Sequence, residues 1–111
     1  MNFVLLEFPG QRSIAVYTSQ DTATVMAAHN CTRAFTGTAY DPATLNHNHL
    51  QALRTDYLWA LLEETDAGYA LINLSHVPIV TPVGPRHVCV QVESVTELVN
   101  GAYVTKAIKS E

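Results

Sequence analysis

Three short runs place a potential metal ligand two residues from another: His29-Asn30-Cys31, His47-Asn48-His49 and His87-Val88-Cys89. Side chains two apart on a strand point the same way, so His87 and Cys89 are the pair best set to face one ion, with Glu93 further along. Zinc is the ion that nitrogen and sulfur donors of this kind favour. The runs lie dozens of residues apart, and none has the close Cys-x-x-Cys or His-Glu-x-x-His spacing of a zinc site. Filling core is an alternative for Cys31 and Cys89, because cysteine is among the most buried residue types.

Nucleophilic chemistry needs a base beside the nucleophile, and the sequence neighbours are Cys31 with His29, Ser75 with His76, and Cys89 with His87. Ser75 and His76 point to opposite faces of a regular strand, and no Gly-x-Ser-x-Gly elbow accompanies them. Glycines are five and scattered, so neither phosphate-cradling Gly-rich pattern is present. An anionic or aromatic small molecule has a different set available: Arg33, Arg54 and Arg86 to clamp a charge, and Tyr40 and Trp59, together with Tyr57 and Tyr69, to stack on a ring.

Elements must position these residues. Asn2 to Phe8 and Ser13 to Thr18 read as strands joined through Pro9-Gly10-Gln11-Arg12, an N-terminal hairpin. Ser19 or Asp21 then caps a helix over about 22–34, in which Val25, Met26, Ala28, His29, Thr32 and Phe35 recur at helical spacing. Thr36-Gly37-Thr38 ends it. Leu50, Leu53, Tyr57, Leu58, Leu61 and Leu62 form an apolar stripe that predicts a second helix. It starts at Asp41-Pro42 or at Asn48, and Gly68 takes the left-handed turn after it.

From Tyr69 the period becomes that of strands: Tyr69 to Leu74, Val77 to Val80, and Arg86 to Glu93 after a Pro82-Val83-Gly84-Pro85 turn. Asn100-Gly101 sits between β-rich stretches and suits the positive backbone angles of a tight hairpin, although Ser94 and Glu97 also have capping-box spacing. These elements predict one α+β domain over residues 1–111. In it, a mainly antiparallel sheet of five or six strands, with hairpins at both ends, is packed on one side by two helices.

The bulk properties bound the function. In 111 residues, 48% are apolar and 14% charged, against roughly 25% charged in an ordinary globular protein, so part of the surface is expected to be covered in a homo-oligomer or by a partner. Six basic residues against ten acidic ones give a net charge of -4, the wrong sign for tracking phosphates, which disfavours nucleic acid. No long apolar run and no basic-then-apolar leader is visible, so the expectation is a cytoplasmic protein with no membrane span and with Cys31 and Cys89 as thiols. No cofactor is implied.

The expected function is therefore a small non-catalytic protein that docks on a protein partner, as an accessory inhibitor or adaptor from a bacterium or its mobile elements would. A small-molecule or nucleotide-type ligand binder and a small metal- or thiol-dependent enzyme are the alternatives. The final strand, Ala102 to Ile108, presents an edge that pairs with a copy of the same strand, accepts a partner peptide, or is guarded by Lys106 and Lys109.

Overall fold

A computed structural model describes residues 1–40, 58–76 and 86–108. Among the described residues the chain runs β1 (Asn2–Leu6), β2 (Ile14–Thr18), α1 (Thr22–Ala28), β3 (Arg33–Tyr40), β4 (Leu58–Thr65), β5 (Gly68–Ser75), β6 (His87–Val99) and β7 (Ala102–Ala107). Every pairing is antiparallel, in the order β3-β1-β2-β5-β4-β6-β7. A further ladder from Arg33↔Glu97 to Tyr40↔Cys89 joins β3 to β6. That ladder closes six strands into a barrel, which leaves β7 outside the ring.

This architecture overturns the sheet covered by two helices. The stretch over 22–34 is helical only to Ala28: His29 caps it, Asn30 turns left-handed at φ 53°, and the chain re-enters the sheet at Arg33. The second helix is strand in its described part. Leu58-Trp59-Ala60-Leu61-Leu62 lies in β4, with Ala60 and Leu62 inside the barrel and Trp59 and Leu61 buried outside it. A strand buried on both faces has no alternation, so its apolar run resembles a helix stripe. Gly68, read as a helix end, instead opens β5 at φ 132° after the turn from β4. The start of the predicted second helix, Val77 to Val80 and Lys109 lie outside the described residues.

Two apolar clusters share the strands between them. Phe3, Leu5, Ala15, Phe35, Ala60, Leu62, Val90 and Val92 fill the barrel. On its outside, Val25 and Met26 of α1 cover Val4, Leu6 and Ala34, with Cys31 beside them. β1 therefore carries apolar residues at successive positions because one parity faces the lumen and the other faces the helix. The two expected terminal hairpins, β1–β2 and β6–β7, are both present. No disulfide joins Cys31 and Cys89, and no helix among the described residues is long and apolar enough to cross a membrane.

Gly37 makes the closure possible. A Cβ at this position would fall on the carbonyl oxygen of Gln91 and within 2.9 Å of its carbon and of Val90 Cγ1. The glycine that reads as a helix terminator is a point of close backbone approach in mid-strand. The ladder slips there: Gly37 faces Val92 and Thr36 faces Ser94, so Glu93 is the extra residue of a bulge.

Candidate functional site

The bulge at Glu93 divides β6 into two halves with different neighbours. His87 to Val92 pair with β4, whereas Ser94 to Val99 pair with β7, and β3 continues along the other edge as far as Glu97. The second half thus exchanges β4 for β7 on one edge, stays on β3 as far as Glu97, and runs past it into a hairpin. Its turn is Asn100-Gly101, with φ of 50° and 81°, the backbone that a two-residue hairpin turn requires.

Both faces of this arm are apolar near its tip. The register Leu98↔Tyr103 puts those two on one face, and Val99↔Ala102 and Glu97↔Val104 put Val99 and Val104 on the other. Leu98, Val99, Tyr103 and Val104 are 39, 45, 37 and 40% exposed, and all six residues of β7 are exposed. A solvated hairpin ordinarily keeps one face polar. Val95, Glu97, Val99, Val104 and Lys106 line a shallow open depression on the second face. Lower on the arm, the Thr96 and Thr105 hydroxyls share a hydrogen bond of 2.8 Å, with Thr96 buried beneath it.

Arg33, at the start of β3, lies beside the arm at Glu97. Its guanidinium lies 2.7 Å from Glu7 Oε2 and 3.5 Å from Glu97 Oε1, with its Cζ 4.9 Å from the Phe35 ring centroid. The other residues read as ligand clamps are placed apart from it. Arg86 is exposed and precedes His87, at the opposite end of β6 from Glu97, roughly 36 Å away at about 3.3 Å per residue. Tyr40 ends β3 opposite Cys89, Trp59 is fully buried in β4, and Arg54 lies outside the described residues.

His87 and Cys89 do share one face of β6, opposite Glu63 and Leu61 of β4. Cys89 is buried, and the His87 Nδ1 is buried without a hydrogen bond. Glu93 lies six positions beyond His87, roughly 20 Å along the strand, where Thr38 donates a hydrogen bond to it at 3.4 Å. Among the described residues no three His, Cys, Asp or Glu side chains gather as a metal site would need. Cys31 points its thiol at the carbonyl oxygens of Arg33 and Glu7, at 3.0 and 3.5 Å, while His29 bonds the Val25 carbonyl oxygen of its own helix at 2.9 Å.

Leu98, Val99, Tyr103 and Val104 are not among the candidate site residues that the sequence suggests. The signal was present as two apolar pairs flanking an Asn-Gly turn, which leaves neither face of the hairpin polar. Comparison with protein-family models, with curated proteins and with solved structures found no match for this chain.

Proposed function

We propose that this chain is a non-catalytic binding protein that docks on a protein partner through the β6–β7 arm. The observation that supports this reading is the arm itself: a hairpin whose strand β7 lies outside the closed barrel, with apolar residues exposed on both faces at its tip. Exposing Leu98, Val99, Tyr103 and Val104 to water is unfavourable. Covering the remainder of four such side chains contributes on the order of a few kcal/mol, the scale of a modest interface. β3 pairs with the arm as far as Glu97, and the ordering this supplies lowers the entropy cost of docking.

The test is native mass spectrometry of the protein as purified from cells, comparing the wild type with a Leu98→Ser/Val104→Ser variant. The expected result is a retained protein subunit in the wild type that is lost in the variant. A stoichiometric small molecule or metal in place of a protein subunit, or a variant that keeps its partner, overturns the reading.

A further inference from the structure

We propose that the partner seated on the arm is a second copy of this chain, joined by antiparallel pairing of β7 with the partner's β7 about a twofold axis at Thr105. This rests on the docking reading above and names its partner.

The backbone of β7 sets which groups are available. The Ile108 N–H donates to the Glu93 carbonyl at 2.9 Å, and Val99 and Ala102 flank the two-residue turn, so Ala102, Val104 and Lys106 aim their backbone groups at β6. Alternation then turns the N–H and C=O groups of Tyr103, Thr105 and Ala107 outward. Among the described residues no strand lies on that edge. Centring the pairing on Thr105 sets Thr105 against the partner's Thr105 and Tyr103 against the partner's Ala107. All three outward residues of each copy are then paired.

Side chains agree with that register. Thr96 and Thr105 already form a row across the hairpin, and the twofold extends it through the partner's Thr105 to the partner's Thr96. On the other face, Lys106 lies opposite the partner's Val104, which itself lies opposite the partner's Glu97. Two strand spacings, about 10 Å, then separate Lys106 from the partner's Glu97, a span that the two side chains bridge over the valine. The lysine that would guard a lone edge is thereby matched with an acid, once on each side of the axis. An edge of six residues is a small interface, so the dimer fraction rises with concentration.

Sedimentation velocity of the full chain from micromolar to millimolar concentration, with amide hydrogen exchange by NMR over the same range, tests this. Self-pairing predicts a shift from monomer to dimer in which the Tyr103, Thr105 and Ala107 amides become protected, while those of Val104 and Lys106 are protected throughout. Ala107→Pro removes an outward N–H and leaves the bonds to β6 intact. It is expected to stay monomeric, with Val104 and Lys106 still protected as proof of folding. Lys106→Glu is likewise expected to stay monomeric alone and to dimerise when mixed with Glu97→Lys. A wild type that remains monomeric, or a dimer whose outward amides exchange freely, overturns self-pairing. Either result leaves the docking reading to the mass-spectrometry test, which fails separately when the apolar arm variant keeps its partner.

Discussion

Replacing Gly37 with alanine probes the closure of the barrel directly. The added methyl carbon falls on the Gln91 carbonyl oxygen and lies 2.9 Å from Val90 Cγ1, in the middle of the β3–β6 ladder. A carbonyl oxygen in a ladder has no rotamer by which to retreat, so relief requires the two strands to part by on the order of 1 Å. Overpacking alone costs about 1–3 kcal/mol, and each ladder hydrogen bond stretched by the movement removes about 1 kcal/mol more. The expected loss is therefore about 3 kcal/mol or more, which lowers the melting temperature by roughly 12 °C at this chain length. Gly10→Ala is the control: its φ is 75° but nothing lies within 4 Å of the new carbon, so only backbone strain of about 1 kcal/mol is expected. Urea unfolding monitored by Trp59 fluorescence measures both. A Gly37→Ala protein within about 0.5 kcal/mol of wild type, a difference typical of inert surface changes, would refute the close approach and with it the registered closure.

Trp59 is completely buried, so Trp59→Ala is expected to cost about 3–5 kcal/mol in equilibrium unfolding. At the arm, the Cβ of Gly101→Val meets no atom within 4 Å but the residue must hold φ near 81°, so a loss of about 1–3 kcal/mol is expected, with faster amide exchange confined to β6–β7. Thr105→Val leaves the buried Thr96 hydroxyl without its partner and is expected to cost about 1–3 kcal/mol, whereas Thr96→Val leaves only the exposed Thr105 hydroxyl and costs less. The Arg33–Glu7 pair is close to half exposed on both sides, so Glu7→Gln is expected to cost no more than about 1 kcal/mol, and less in high salt.

Local signals in the chain carried the hairpins. Within the stretches Asn2 to Phe8 and Ser13 to Thr18, Asn2–Leu6 pairs with Ile14–Thr18, Tyr69 to Leu74 is strand, and Asn100-Gly101 forms its turn because that dipeptide accepts two positive φ angles wherever it stands. These features depend on a few consecutive residues, whose backbone preferences survive any tertiary context.

Barrel closure could not be read in the same way, because it depends on which surfaces meet. Leu58 to Leu62 has no strand alternation, because one side of β4 fills the lumen and the other is buried outside it. Arg33 to Phe35 carry on the helical spacing and Thr36-Gly37-Thr38 reads as its end, yet all of them lie in β3, where Gly37 admits the backbone of β6. The residues of the arm followed the same logic. Leu98, Val99, Tyr103 and Val104 look like ordinary core in the sequence, and only the departure of β6 from β4 at Glu93 leaves them in water. Apolar character was a property of the sequence. Whether it faces a lumen, a helix or an unfilled interface was decided by the long-range β3–β6 pairing, which no local window contains.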